Sequence, residues 1–254
     1  MRLPLLTLCL LALPATSSAK EFSIGNRDVH GLIAAIHESN QRPGPHRIRL
    51  YPGGIYTLQS TDEQRLGLPA IRSQLRIDGR GAEIRRYSDA SMTLLEVTET
   101  GRLQLHRLTL AEGSLGAIRN RGELRLDEVS ITDSSSENAR GIVLNYGHLT
   151  VHNSLFAYNH VKDLGRSCGV LINLGRLDIH NSRFEHNAVN LSQPMLAAGA
   201  ILNLGVLNAE NLQFDENVII DPTGDLAYHP VVNLDSGSIS GLPAQYIVDE
   251  RIGR

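Results

Sequence analysis

The sequence predicts an all-β fold: a right-handed parallel β-helix, a solenoid with an N-terminal capping helix. Three observations carry that expectation. A sixteen-residue pattern returns four times, beginning at Gly116-Ala117-Ile118, Gly141-Ile142-Val143, Gly169-Val170-Leu171 and Gly199-Ala200-Ile201. In each copy an asparagine stands two residues before an anchor glycine. After that glycine, apolar and polar residues alternate. A repeat of this length builds stacked coils, each burying its apolar side against its neighbours.

Aligned on the anchor glycines Gly101, Gly122, Gly147, Gly175 and Gly205, the spacings are 21, 25, 28 and 30 residues. Two and four positions later come Leu103/Leu105, Leu124/Leu126, Leu149/Val151, Leu177/Ile179 and Leu207/Ala209. A period of two marks a strand with one buried face. Strands of three to five residues do not stand alone, so each is expected to pair with its equivalent one coil away, at ~4.8 Å. Phe156, Phe184 and Phe214, nine positions after the glycine, then stack inside. The right hand follows from the crossover rule and the twist of strands. The asparagines Asn120, Asn145, Asn173 and Asn203, with Asn159, Asn187 and Asn217 further on, suit tight left-handed corners. Their amides also suit ladders from coil to coil. The ladder reading is preferred to a ligand role.

Composition agrees. The chain has 254 residues, 41% apolar and only 4% aromatic, with no Trp. A narrow solenoid interior is filled by aliphatic side chains, and no linker to a second domain is visible. Residues 1–19 read as a signal peptide: Arg2, an apolar stretch from Leu3 to Leu13, then small residues at Ser17-Ser18-Ala19. The stretch is too short to span a bilayer. A lipid anchor at Cys9 is not expected, because Leu8 is too large for the preceding position. Export to the periplasm or beyond the cell follows. Loss of Arg2 changes the formal net charge from −3 to −3 − 1 = −4. That balance argues against nucleic acid as a partner. Cys168 is then the single cysteine, so no internal disulfide forms.

An open β-helix exposes strand edges that would polymerise. Residues 28–47 read as the N-terminal cap. Within them Asp28 to Asn40 form a helix, capped by Asp28, with Leu32, Ile33 and Ile36 on one stripe. Ile48-Arg49-Leu50 and Ile55-Tyr56-Thr57-Leu58 begin about eight coils that run over 48–241. Val232-Asn233 and Gly237-Ser238-Ile239 look like a degenerate last coil, and the tail 242–254 closes the far end.

Outward positions one, three and five after the glycine form three columns on one face. The fifth holds His106, Asp127, His152, His180 and Glu210; the third, Gln104, Arg125, Thr150, Asp178 and Asn208; the first, Arg102, Glu123, His148, Arg176 and Val206. From these, His106, Asp127, His152, Arg176, Asp178, His180 and Glu210 are the candidate binding residues. Asp178 and Glu210 are expected about 8 Å apart, inside the roughly 6.5–9.5 Å of inverting glycosidases. Arg176 suits a sugar carboxylate. The competing reading is a solvated sheet face whose alternating charges need no ligand. No catalytic residue, metal ligand or cofactor is assigned. Loops of six (Ser135 to Arg140), nine (His160 to Cys168) and eleven residues (Ala188 to Ala198), then Val218 to Pro230, gather on one edge. They mark either a binding edge or the place where insertions are tolerated.

The elements Leu115-Gly116-Ala117-Ile118, Ala198-Gly199-Ala200-Ile201, Phe156-Ala157-Tyr158-Asn159, Phe184-Glu185-His186-Asn187 and Phe214-Asp215-Glu216-Asn217 resemble the repeats of bacterial polymorphic outer-membrane proteins of the chlamydial adhesin type. Leu32 to Leu58 also looks like the N-terminal cap of many secreted relatives. The resemblance implies a right-handed β-helix and adhesion. The membrane-bound relatives carry a C-terminal barrel, which is missing here, so no membrane anchor is implied. Lyases of this fold ask for a carboxylate cluster to hold calcium, and here the carboxylates fall singly. The expectation is an exported, non-catalytic, monomeric solenoid that binds a surface, glycan or protein partner. The alternative is a polysaccharide-active enzyme, a glycoside hydrolase or lyase, using the His/Asp/Glu strip.

Overall fold

A computed structural model describes residues 19–42, 44–137, 141–162, 168–234 and 237–250. The residues before Ala19 that read as a signal peptide and the last four residues of the tail lie outside them. The chain is a parallel β-solenoid of three sheets. The longest follows the path Glu21–Ile24, Pro45–Leu50, Gln74–Arg86, Arg102–Ala111, Glu123–Thr132, His148–His152, Arg176–His180, Val206–Glu210 and Ser238–Ser240. A second sheet has seven strands and a third has five. Seven rungs of the second sheet correspond to about seven turns, one fewer than the spacing suggested. The reason is that the end windings contribute to one or two of the three sheets only.

The repeat alignment is the register of the structure. Leu103 pairs with Leu124, Leu124 with Leu149, Leu149 with Leu177, and Leu177 with Leu207. Phe156 pairs with Phe184 and Phe184 with Phe214. Their rings stack, with centroids 4.6 Å and 5.7 Å apart. Tyr246, from the C-terminal segment, covers the last ring at 5.3 Å. The anchor glycines sit where successive windings touch. A Cβ on Gly175 would lie 2.2 Å from the Gly147 carbonyl oxygen, which leaves no room for any side chain.

The asparagines form two buried ladders. Asn120, Asn145, Asn173, Asn203 and Asn233 pass a side-chain hydrogen bond from coil to coil at 2.7–2.8 Å. Asn159, Asn187 and Asn217 form the second, at 3.0 and 2.6 Å. The first set ends strands such as Leu171–Asn173 rather than occupying left-handed corners. Those corners lie elsewhere in each winding, at Arg107, Glu128, Asn153, Asn181 and Asn211, and again at Glu112, Asp133, Tyr158, His186 and Glu216. Each costs ~1–2 kcal/mol as an isolated residue. The packed strands on both sides hold the bend that the corner provides.

Two sequence expectations change at the edges of the coil. The segments read as loops open with short strands, Ser135–Glu137, His160–Lys162, Ala188–Asn190 and Val218–Ile220, and these build the third sheet. Each turns one residue inward (Ser136, Val161, Val189, Ile219), too few for a period to show. At the other end, Glu21–Ile24 precedes the helix and pairs in parallel with Pro45–Leu50. The helix, Val29–Gln41, is therefore the crossover between the first two strands. Asp28 caps it, accepting the Gly31 N–H at 2.8 Å. Leu32, Ala35 and Ile36 are buried in the core that holds Ile48, Leu50 and Tyr56, while Ile33 is half-buried. At the C-terminus, Ile247–Glu250 pairs with Val231–Leu234, and Asn233 donates to Asp249 at 3.0 Å.

Candidate functional site

The three outward columns lie on the longest sheet and extend further toward the N-terminus than the anchor glycines indicate. In the third column Arg47 pairs with Arg76, Arg76 with Gln104, Gln104 with Arg125, Arg125 with Thr150, Thr150 with Asp178 and Asp178 with Asn208. In the fifth, Asp78 stands beside His106. The windings around Arg76 and Gln104 form an open groove of about 560 Å³, lined also by Arg102, Glu123, Arg125, His148 and Thr150.

Charge in this groove is uneven. Arg47 bonds Asp78 at 2.8 Å and Arg102 lies 3.3 Å from Glu123. Arg76 and Arg125 make no ion pair among the described residues. Arg76 and Arg125 stand two windings apart, their backbone positions roughly 9–10 Å apart by strand spacing, and line one depression.

The predicted strip residues fall into local pairs. His106 Nδ1 lies 3.4 Å from Asp127 Oδ2, and His180 Nδ1 lies 3.3 Å from Glu210 Oε2. His152 stacks on His180 with ring centroids 5.1 Å apart and planes 15° from parallel. Burial, then the positive Arg125 and the neighbouring His180 ring, push the His152 imidazole below its ordinary range; Asp127 opposes this only in part. His152 is accordingly neutral at neutral pH. Among the described residues, no three of His, Cys, Asp and Glu are arranged to hold a metal ion.

Asp178 is the centre of a different arrangement. Its Oδ1 accepts from Arg176 Nη2 at 2.9 Å and from Asn208 Nδ2 at 2.6 Å. Its Oδ2 takes Arg176 Nε and His148 Nε2, each at 2.8 Å. Burial raises the carboxyl, but the hydrogen bonds from Arg176, Asn208 and His148 outweigh it and hold the group at about 2. A glycosidase acid must keep its proton near neutral pH, which needs a raised pKa. In this arrangement Asp178 is an ionised acceptor, which suits the base rather than the acid position of an Asp178/Glu210 pair. Arg176 is likewise committed to Asp178 rather than left for a sugar carboxylate.

Because the folded pKa of Asp178 is depressed, its contribution to stability is present above the unfolded value of 3.8. It is lost as pH falls from there toward about 2. Allowing for solvent screening, its size is on the order of 1–2 kcal/mol. Asp178→Asn should cost about this much at neutral pH. The variant should also lose less stability than the wild type between about pH 4 and pH 2. Denaturant midpoints across that range check it; parallel curves for the two proteins would contradict the assignment.

His148, Arg76 and Arg125 are the site residues that the sequence reading did not single out. The signal was there: His148 is diagonal to Asp178, one coil and two residues away. Arg76 sits in Leu75-Arg76-Ile77, which matches Leu103-Gln104-Leu105, but Ser73 stands where the anchor glycine would be.

No family model matches the chain, and no curated protein matches it. Among solved structures, the PL6 family alginate lyase AlyGC resembles it with a TM-score of 0.39 and 13% sequence identity over 94% of this chain. The chain spans 40% of the length of that structure. A likeness of this strength says nothing of the chemistry of this groove.

Proposed function

We propose that this protein is an exported β-solenoid that binds an acidic glycan along the outward face of its longest sheet. The observation that carries this reading is the pair Arg76 and Arg125, which lines one groove and makes no ion pair among the described residues, while the groove's Glu123 is paired with Arg102. Guanidinium forks match carboxylates in a bidentate way. Gln104 and Thr150, in the same column, supply neutral donors and acceptors for hydroxyls. The regular rise of the column suits a polymer that repeats along its own axis. The likeness of the Gly-Ala-Ile and Phe-x-x-Asn elements to adhesin repeats supports placing that glycan at a cell surface.

The test is a comparison of polygalacturonate and alginate with neutral glucans, by calorimetry at low and moderate salt. Acidic polymers should bind and neutral ones should not, with affinity falling as salt rises. Arg76→Ala and Arg125→Ala should each weaken binding about tenfold, near 1.4 kcal/mol. Equal affinity for neutral glucans, or arginine variants that bind like the wild type, would overturn the reading.

A further inference from the structure

We infer that a second cleft, at the corner of the longest sheet in its C-terminal windings, binds the acetamido group of an N-acetylated sugar through Asn153, Asn181, Asn211 and Gln213. This cleft shares no lining residue with the arginine groove, so the inference stands independently of the acidic-glycan reading.

The cleft holds about 150 Å³ and opens where three successive windings bend through a left-handed corner. That bend does not by itself demand asparagine. In the two preceding windings it is made by Arg107 and Glu128, which lie 3.7 Å apart as an ion pair. From Asn153 onward the column loses its charge and carries amides. These amides form a partial copy of the buried ladders. Asn211 Nδ2 donates to Asn181 Oδ1 at 2.8 Å. The next rung is missing. Among the described residues Asn181 Nδ2 finds no acceptor, and the side chains of Asn153 and Gln213 make no hydrogen bond. Unpaired amide donors and acceptors therefore stand side by side along one cleft.

The rest of the lining narrows the ligand. The floor is held by two buried serines whose hydroxyls are spent on the backbone. Ser154 Oγ donates to the His152 carbonyl and Ser182 Oγ to the His180 carbonyl, each at 2.8 Å. They accept from the Val129 and Ser154 N–H groups, each at 3.2 Å. Arg183, which also lines the cleft, lies 3.1 Å from Glu185, so its charge is matched. Half-buried Leu155 adds an apolar wall. A ligand for this lining is neutral, carries one donor and one acceptor, and has a small apolar group beside them. An acetamido group has all three: its N–H suits Asn153 Oδ1, its carbonyl suits Asn181 Nδ2, and its methyl suits Leu155. Asparagine is short and its backbone is fixed by the corner, so ordering it costs little. A peptide also carries secondary amides, but extended peptides are held by main-chain bonds at an open strand edge. Here the Asn153 and Asn181 N–H groups are already taken, by the His180 and Glu210 carbonyls.

The full chain is titrated with N,N′-diacetylchitobiose and, separately, with cellobiose, which has a hydroxyl in place of each acetamido group. Binding is followed by nuclear magnetic resonance. The acetylated disaccharide should bind in the millimolar range and cellobiose about tenfold more weakly or less. Asn181→Gly keeps the left-handed corner and removes the amide. Gln213→Ala removes an exposed amide at the cleft rim. Each should weaken binding about fivefold, as the loss of one hydrogen bond does, and thermal melts confirm that both variants are folded. Arg76→Ala should leave this binding unchanged, and Asn181→Gly should leave polygalacturonate binding unchanged, so the two sites are read separately. Cellobiose binding as tightly as the acetylated sugar, no binding of that sugar, or wild-type binding by both folded variants would overturn the inference. So would a capped alanine dipeptide that binds as tightly as the disaccharide, since the cleft would then be a peptide site.

Discussion

Asn173→Leu is expected to destabilise the protein by about 3–5 kcal/mol, the upper end for a single substitution. Asn173 is fully buried and makes four ladder contacts. Its Oδ1 accepts from Asn145 at 2.7 Å. Its Nδ2 donates to Asn203 Oδ1 at 2.8 Å, to the Val206 carbonyl at 3.1 Å and to the Gly175 carbonyl at 3.3 Å. Leucine has the branching of asparagine, but its methyl groups cannot approach Asn145 and Asn203 at the 2.7 and 2.8 Å of the ladder bonds, so overpacking adds to the main loss. The loss comes from polar groups stranded in the interior, at about 1–3 kcal/mol each. Asn145 keeps bonds to the Gly147 and Arg176 carbonyls and is the less affected neighbour. Asn203 Oδ1 loses its donor, so the windings after Gly175 should loosen first. Hydrogen exchange should therefore quicken around residues 201–210 before residues 102–132. A thermal midpoint equal to wild type would show that the ladder is decoration rather than a structural requirement.

Phe184→Ala should be of similar size, about 3–5 kcal/mol. Phe184 is the middle ring of the stack, fully buried, with Phe156 on one side and Phe214 on the other. Its removal forfeits the transfer free energy of the ring and leaves a cavity. The cavity cannot collapse easily, because the backbone on each side is held by parallel pairing of Leu155–Ala157, Arg183–Glu185 and Gln213–Asp215. Stacked aromatic pairs add about 0.5–1.5 kcal/mol each beyond burial. Phe184→Leu should recover much of the loss by refilling the volume. Denaturant titration of the two variants checks this, and a cost below about 1 kcal/mol for the alanine would mean the stack is loosely packed.

The legibility of this protein followed the number of inward residues in each segment. Arg102–Ala111 and Glu123–Thr132 alternate on both sides of a single corner residue, Arg107 or Glu128, so their register was plain from Leu103, Leu124 and their successors. Phe156, Phe184 and Phe214 announced a stack because a rare residue type recurred at one offset. The strands of the third sheet turn in a single side chain each, and Ser136 is polar, so no hydrophobic period exists to detect. Glu21–Ile24 was missed for a related reason: it precedes the first repeat, and its partner Pro45–Leu50 lies beyond a helix. The left-handed corners were misplaced because asparagine is permitted there, yet of the ten corners named above only Asn153, Asn181 and Asn211 carry it.

The candidate face was visible as columns, but not as chemistry. Periodicity tells which residues point outward together, and so His106, Asp127, His152, Asp178, His180 and Glu210 were found. It does not tell which of several neighbours a long side chain will reach. Asp178 has Thr150 and Asn208 beside it in register and Arg176 two residues before it. It chose Arg176 and Asn208, and received His148 diagonally.

From its residues alone, this chain declared a stacked parallel solenoid, because glycine, asparagine and aliphatic columns are forced by backbone contacts that repeat every winding. Which outward groups are spent on one another, and which stay open, came only from the folded form. Among the described residues Arg76 and Arg125 make no ion pair and His148 is bound through one nitrogen, because side-chain reach, burial and competition among adjacent charges are settled in three dimensions rather than along the chain.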